Sequence, residues 1–240
     1  MVNQIDPVLP AREQIPVIMS ELQAAADRLA DIGPAISLFG SARIPPESPY
    51  YAKATAIAQA LARAGFAIIA GGGPGIMEAA NKGAYEAGGR SVGLNIKLPH
   101  ETTNNAYQTD SLHFHYFTSR KTSFFMHSLA YVALPGGFGT LDELFEALTL
   151  LQTHKLPPAP IILVGSEFWG GLIDWVRDRL LAEGMIGPHD LRLLTIEDDP
   201  ELIVGQLISF YGKYLESIGQ KPPSLPTELN EALNKAISGL

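Results

Sequence analysis

The sequence predicts an α/β fold, with a single domain built on a doubly wound parallel sheet. Two observations lead to this prediction. Several short segments are continuous apolar runs, which are typical of strands buried on both faces of a parallel sheet. These runs alternate along the chain with longer segments of helical periodicity, as expected when helices cover both faces. The 240 residues suit one large α/β domain.

The chain opens with a helix, a strand and a second helix. Residues 13–32 carry apolar side chains at helical spacing, which predicts an amphipathic helix. The run AISLFG at 35–40 then indicates a buried strand. An alanine-rich segment at 50–64 predicts the next helix, and Gly65 stands in position to end it.

The next elements alternate in the same way. The run FAIIAGGG at 66–73 predicts a second strand that leads into three glycines. A helix is expected at 76–89 and a third strand at 90–96, where RSVGLNI is again apolar. The polar stretch 97–110 predicts a loop.

A further strand and helix come before the glycine-rich segment ALPGGFGT. LHFHYF at 112–117 has the residues of a strand, and 119–129 has the length of a short helix. AYVALPGG at 130–137 predicts a strand that ends in glycine, and the pattern at 140–152 becomes strongly helical.

The last third of the chain continues the pattern. It predicts a strand at 159–165, a helix at 167–182, a weak strand near 191–196 and a helix at about 199–218. No convincing linker precedes residue 219. We therefore expect one domain over 1–218, including the N-terminal helix, and a proline-containing tail over 219–240 that ends in a loosely attached helix.

Composition and charge exclude several functions. A net charge of -8 argues against a nucleic-acid partner, because such proteins normally present a basic surface. The absence of cysteine excludes disulfides, thiolate nucleophiles and cysteine-based metal sites. Neither a signal peptide nor an apolar run of about 18 residues is evident, so we expect a cytoplasmic protein with no membrane partner.

Three of the predicted strands end in small residues, and ligands bind beyond the carboxyl ends of such strands. The small residues are Gly40 with Ser41, the glycines at 71–73, and PGG at 135–137. Two of these turns lead into helices, whose N-termini attract anions. The alternative is ordinary turn chemistry, since strand-to-helix turns need positive φ angles anyway. Neither the dinucleotide fingerprint nor the P-loop is matched, so a monophosphate is the more natural ligand.

Glu143 has two interpretations. Thr140 and Glu143 fit a capping box, in which Thr140 caps the helix and Glu143 hydrogen-bonds back to the cap N–H. Alternatively, the Thr140 hydroxyl contacts a phosphate and Glu143 reaches into a pocket. The spacing by itself leaves both interpretations open.

Arg120 and Lys121 are unusual because a helix start near Ser119 would place two cations where the helix dipole disfavours them. One explanation is a solvated start that tolerates a small cost. The other is an anion or an acidic side chain nearby, which the planar guanidinium of arginine suits well.

No cofactor or metal is predicted. His113 and His115 share one face of a strand, but no carboxylate is correctly spaced beside them. Nothing around Lys82, Lys97, Lys121 or Lys155 specifies a Schiff-base site for pyridoxal phosphate.

SRK and PGGFGTLDE, taken together, resemble the Lonely Guy family of nucleoside-monophosphate phosphoribohydrolases, also labelled lysine decarboxylase-like. Pro135, Gly136, Gly137, Gly139, Thr140 and Glu143 match its signature P-G-G-x-G-T-x-x-E in full. Arg120 and Lys121 match its upstream pair. FGSAR and GGGPGIMEAANKGA match two earlier loops in outline, so the resemblance covers roughly residues 35–165.

The resemblance implies a Rossmann-like fold, a homodimer or higher homo-oligomer, and hydrolysis of a nucleoside 5′-monophosphate to free base and ribose 5-phosphate. By position, Arg120 and Glu143 are the catalytic residues. The glycines and threonine of the signature hold the 5′-phosphate, with the 71–73 loop facing the same crevice. The expected substrate-binding residues are Ser41, Gly71, Gly72, Gly73, Glu78, Lys121, Gly136, Gly137, Gly139 and Thr140.

Departures from the cytokinin-activating members leave the substrate open. Glu78 stands where those members usually have glycine, and is either a second pocket carboxylate or an acid favoured by the helix dipole. YFTS precedes Arg120 in place of their Met-His-Glu, so AMP is as plausible as a cytokinin riboside monophosphate. The alternative functions are a non-catalytic nucleotide carrier on the same fold and, from the old label alone, an amino-acid decarboxylase.

Overall fold

A computed structural model describes residues 10–98 and 104–221 of the chain. Its strands are β1 (Ala35–Phe39), β2 (Ala67–Ala70), β3 (Ser91–Ile96), β4 (Asp110–Phe114), β5 (Ala130–Ala133), β6 (Ile161–Leu163) and β7 (Leu194–Ile196). They form one sheet in the order β4-β3-β2-β1-β5-β6-β7, and every neighbouring pair is parallel. The predicted parallel sheet is confirmed.

Helices cover both faces of the sheet, as a doubly wound fold requires. They are α1 (Ala11–Arg28), α2 (Pro49–Arg63), α3 (Ile76–Glu86), α4 (Phe117–His127), α5 (Phe138–Gln152), α6 (Ser166–Trp175) and α7 (Pro200–Ser217). The apolar residues of α2, α3 and α7 form a core with one face of the sheet. Those of α1, α4, α5 and α6 form a second core with the other face.

Local chemistry explains where several helices begin and end. Ser48 caps α2 by accepting a hydrogen bond from the Tyr50 N–H, and Asp199 caps α7 in the same way. Gly65 follows α2 with a φ of +92°, the left-handed conformation that ends helices and that glycine adopts without strain. The predicted role of Gly65 is confirmed.

Several helices begin one or two residues earlier than the sequence predicts, and two of them, α4 and α5, carry residues of the predicted site. The helix expected from 119 starts at Phe117, and the helix expected from 140 starts at Phe138. The helix predicted over 167–182 is split, because α6 continues as a π-helical turn over Val176–Leu181. Of the predicted tail, residues 222–240 lie outside the described part of the chain, so the domain boundary at 218 stays a prediction.

The order in which strands are added to the sheet reverses beside β1. From β1 the chain adds β2, β3 and β4 on one side, then returns to add β5 on the other side. The helices that follow β1 and β5 lie on opposite faces, so a crevice opens at the carboxyl ends of these strands. Among the described residues, no helix has both the length and the apolar character needed to cross a membrane.

A buried carboxylate joins α1 to the start of α4. The Glu21 side chain is only 8% exposed and accepts hydrogen bonds from the Ser119 hydroxyl and from the backbone N–H of His115. The His115 ring lies 2.8 Å from the same carboxylate. Burial alone would raise the pKa of Glu21, but these hydrogen bonds outweigh it and lower the pKa.

Glu21→Ala should lower the free energy of unfolding by about 2–3 kcal/mol, because buried donors lose a charged acceptor. Urea denaturation at pH 7 measures this loss. Because the folded-state pKa is lowered, the contribution is present above the ordinary carboxylate pKa and is lost as the pH falls through the folded pKa. Glu13→Ala, on the exposed face of α1, is the matched control. A loss as small in Glu21→Ala as in the control would contradict the role of this buried carboxylate.

Candidate active site

A cavity of about 600 Å³ opens at the carboxyl ends of β1, β2, β3 and β5. This is the crevice beside the reversal point of the sheet. Most of the predicted site residues line it: Ser41, Gly71, Gly73, Arg120, Gly137, Gly139, Thr140 and Glu143. The fold therefore brings together segments that lie about a hundred residues apart in the chain.

Arg120 and Glu143 form an ion pair in the wall of this cavity. Nη1 of Arg120 lies 3.4 Å from Oε1 of Glu143, and the two side chains are 7% and 13% exposed. Arg120 comes from the second turn of α4 and Glu143 from the second turn of α5. An acidic side chain thus lies beside Arg120. This agrees with the second explanation offered for the position of Arg120 near a helix start, namely an anion or an acidic side chain nearby.

The Arg120 guanidinium is held on several sides. Nε donates a hydrogen bond to the Leu94 carbonyl at 2.6 Å, and Nη2 donates to the Gly71 carbonyl at 3.3 Å. The ring of Phe124 lies 5.3 Å from Cζ of Arg120. These contacts tie Arg120 to the ends of β2 and β3, so it presents a fixed cation to Glu143.

The environment of Glu143 changes its acidity. Burial raises the pKa of Glu143 to about 7, although the positive charge of Arg120 opposes this. Near neutral pH the carboxyl group therefore exists in both protonation states. Such a poised carboxyl group in a cleft is typical of catalytic sites.

The N-terminus of α5 faces the same cavity without a capping side chain. The cap residue is Gly137, so Thr140 and Glu143 lie inside the helix. The capping-box interpretation is wrong, because the helix begins at Phe138 and leaves no cap position for Thr140. The first N–H groups of a helix have no partner within it, and here they face the cavity with the positive end of the dipole.

The glycines of the α5 loop do not serve turn geometry. Gly136, Gly137 and Gly139 are absent from the glycines with positive φ among the described residues. A Cβ on Gly136 would overlap the Thr140 side chain, whereas one on Gly137 or Gly139 would meet no atom of the protein within 4 Å. Space is thus left open above the helix start, where a ligand can approach the backbone.

The 71–73 loop is shaped by its neighbours. A Cβ on Gly71 would overlap the Arg120 guanidinium and the Met77 sulfur. Gly72 has a φ of +78°, and its carbonyl accepts hydrogen bonds from the Asn105 N–H and the Gln108 amide. Gly72 is therefore turned away from the cavity, while Gly71 and Gly73 line it.

Ser41 connects two of the three small-residue turns. Its N–H donates to the Pro135 carbonyl, and its own carbonyl accepts from the Ile76 N–H, both at 3.0 Å. Because this bond already satisfies an N–H at the start of α3, the helix start at Phe138 is the more open of the two for an anion.

The sequence model of the family described as possible lysine decarboxylase matches residues 77–207, more than half of the chain. The chain belongs to this family, the Lonely Guy family.

Two curated relatives support the assignment to the Lonely Guy family. A probable cytokinin riboside 5′-monophosphate phosphoribohydrolase of Oryza sativa subsp. japonica is 30% identical over 157 residues, which cover 62% of this chain and 61% of the rice protein. The match therefore spans less than two thirds of that relative. A cytokinin riboside 5′-monophosphate phosphoribohydrolase of Mycobacterium tuberculosis is 33% identical over 158 residues, covering 61% of this chain and 79% of the relative.

A solved structure has the same fold. The molybdenum cofactor binding protein of Rippkaea orientalis superposes with a TM-score of 0.54 at 23% identity, over 74% of this chain and 97% of its own. At this identity the likeness concerns the fold alone.

Two residues that match Lonely Guy motifs, and one residue that differs from the cytokinin-activating members, do not line the cavity. Lys121 pairs with Asp142 and Glu146 on α5, and Gly136 packs beneath Thr140. Glu78 lies in the first turn of α3, where its carboxylate accepts a hydrogen bond from the Tyr51 hydroxyl at 2.8 Å. This geometry places Glu78 as a helix-start acid and not in the cavity lining.

Several residues that line the cavity of this Lonely Guy chain were not predicted from its sequence. Arg43 adds a second cation and, among the described residues, makes no ion pair. Met77, Ile96 and Phe117 add an apolar wall. Asn95 is 4% exposed near the end of β3. A polar residue near the end of an otherwise apolar strand is the sequence feature from which this site residue could have been predicted.

Within residues 10–98 and 104–221, no three histidine or acidic side chains come close enough to hold an ion. His115 pairs with Glu21, and His113 lies 2.7 Å from the Asn104 amide.

Proposed function

We propose that this protein hydrolyses the N-glycosidic bond of a nucleoside 5′-monophosphate, releasing the free base and ribose 5-phosphate. The observation that carries the proposal is the Arg120–Glu143 pair beside the open N-terminus of α5, in one cavity. A partly ionised carboxylate and an anion site in the same cavity suit a substrate that carries a phosphate close to the bond to be broken. The names of the family relatives support the same reaction class.

In this proposal the 5′-phosphate binds at the start of α5. The N–H groups of Phe138, Gly139 and Thr140 donate to the phosphate oxygens, and the helix dipole adds attraction. The absence of side chains on Gly137 and Gly139 lets the phosphate approach. Binding the phosphate, which lies away from the reacting bond, supplies energy that is used to orient the substrate at that bond.

The ribose then lies against Glu143. Cleavage of the bond between C1′ and the base nitrogen leaves positive charge on the sugar, and the ionised Glu143 carboxylate stabilises it. Water adds its oxygen to C1′, while one proton from the water balances the proton taken up by the departing base. Arg120 holds Glu143 in place throughout, because its guanidinium is anchored to the ends of β2 and β3.

The base lies toward the apolar wall of Met77, Ile96, Leu98 and Phe117. The volume of the cavity is within the usual range for small-ligand sites. AMP and a cytokinin riboside monophosphate both have a flat base that such a wall accepts, and we propose this substrate class. The family resemblance also leads us to propose a homo-oligomer, which light scattering would test.

Incubation with AMP, other nucleoside monophosphates and a cytokinin riboside monophosphate, followed by chromatography, tests the function. We expect release of base from at least one monophosphate, and much slower release from the matching nucleoside because it lacks the phosphate. Binding of monophosphates without any cleavage would instead support the nucleotide-carrier function. An absorption band of pyridoxal phosphate in the purified protein would support the decarboxylase function.

A further inference from the structure

Lys121 lies next to Arg120 in the sequence, but its ammonium group contacts α5 and not the cavity. Nζ lies 2.9 Å from the Asp142 carboxylate and 2.7 Å from Oε2 of Glu146, and the side chain is 18% exposed. We propose that Lys121 is a positioning residue, which clamps α5 to α4 and so holds Glu143 opposite Arg120. The proposal rests on the function proposed above for Glu143.

The spacing of the charges supports a clamp. Asp142 and Glu146 lie one turn apart on α5, on either side of Glu143 in the sequence, so Lys121 bridges the segment that carries the reactive carboxylate. The backbones of α4 and α5 approach each other at few places. Ion pairs from consecutive residues, Arg120 and Lys121, therefore set how the two helices meet.

A substrate-binding role fits this geometry less well. The Lys121 ammonium group already forms ion pairs with two carboxylates. These carboxylates raise the pKa of Lys121, although burial opposes them. A phosphate would have to displace both carboxylates to reach the ammonium group. The open N–H groups at the start of α5 offer a phosphate a site without that exchange.

The clamp also affects the charge on Glu143. Burial raises the pKa of Glu143, Arg120 lowers it, Asp142 raises it, and smaller effects come from Lys121 and Glu146. Arg43 lies in the cavity lining as a further cation. Removing Lys121 would delete a cation and leave two carboxylates unpaired, so the pKa of Glu143 would rise.

Lys121→Met should move the acid limb of the pH profile for base release upward by about one unit. At pH 7 this corresponds to about a fivefold loss of kcat, with little loss at pH 9 and no more than about a twofold change in KM. Asp142→Asn/Glu146→Gln, which keeps Lys121, should move the acid limb downward. Lys155→Met, at an exposed position, is the matched control and should leave the profile unchanged.

A second measurement separates this inference from the proposed function. A carbon-13 NMR titration of glutamate-labelled protein, with the Glu143 signal identified from its loss in Glu143→Gln, reports the pKa of Glu143 without turnover. We expect a higher pKa in Lys121→Met even if no nucleotide is cleaved. An unchanged pKa, or a raised KM with an unchanged pH profile, would overturn the positioning role.

Discussion

Glu143→Gln should lower kcat for base release by a factor of about 10²–10³ and leave KM for the nucleotide nearly unchanged. The amide keeps the size of the side chain and an acceptor for Arg120, but it cannot carry the negative charge that stabilises the cationic sugar. Loss of one preorganised electrostatic contact commonly costs this much. Steady-state kinetics with the best monophosphate from the substrate panel measure the effect, and a loss below about tenfold would remove Glu143 from the chemistry.

The same carboxylate should make the wild-type rate depend on pH. Because the pKa of Glu143 is about 7, its ionised fraction falls about tenfold between pH 8 and pH 6. The value of kcat/KM, which follows the pKa of the free enzyme, should fall by the same factor over that interval, and the residual kcat/KM of Glu143→Gln should be flat.

Stability serves as the control for Glu143→Gln. The folded-state pKa of Glu143 is raised above its ordinary value. The protonated Glu143 therefore stabilises the folded wild-type protein below the ordinary pKa, and this stabilisation is lost as the pH rises to about 7. Glutamine does not titrate. From pH 4.5 to pH 8 the free energy of unfolding should therefore shift in favour of the variant, by an amount on the order of 3 kcal/mol. A variant that is inactive and also less stable at pH 8 would point to misfolding.

Arg120→Ala should lower kcat by a factor of about 10²–10³ and raise the pH at which the remaining activity appears. Arg120 is the cation that most strongly lowers the pKa of Glu143, so without it the carboxylate is protonated at neutral pH and loses its fixed position. Arg120→Lys should retain part of the activity, because an ammonium group keeps the charge but cannot bond to Leu94, Gly71 and Glu143 together. Kinetics from pH 6 to pH 9 measure both effects.

Chemical rescue separates positioning from damage to the fold. Guanidinium at low millimolar concentration should restore part of the activity of Arg120→Ala, since the vacated space beside Glu143 matches its shape and charge. A variant with normal kcat, a normal pH profile and only a raised KM would show that Arg120 binds substrate and does not act on Glu143.

The sequence predicted the sheet and its helices well because each depends on local pattern. Continuous apolar runs mark strands covered on both faces, and even the weak strand near 191–196 is present as β7. Helix starts were less accurate, since Phe117 and Phe138 extend α4 and α5 by a few residues. At Phe138 this shift decides whether Thr140 is a cap or an interior residue.

The site was predicted in outline. The glycine turns at strand ends mark the crevice because parallel strands end at one edge of the sheet. The sequence could not distinguish the two helix starts, since the bond from the Ile76 N–H to the Ser41 carbonyl joins distant segments. It also could not show that Lys121 contacts α5 while Arg120 faces the cavity, because that depends on how two helices meet.

The segment ALPGGFGTLDELFEAL by itself determines a strand, a glycine-rich connection and a helix, since these follow from the local apolar period and from the small residues between the two apolar segments. The tertiary structure decided what that helix start is for. Burial against α4 places Glu143 beside Arg120, and removal from water raises the pKa of the carboxyl group to about 7. Solvation and the distance between charges depend on every neighbouring element, so no local pattern of residues specifies them.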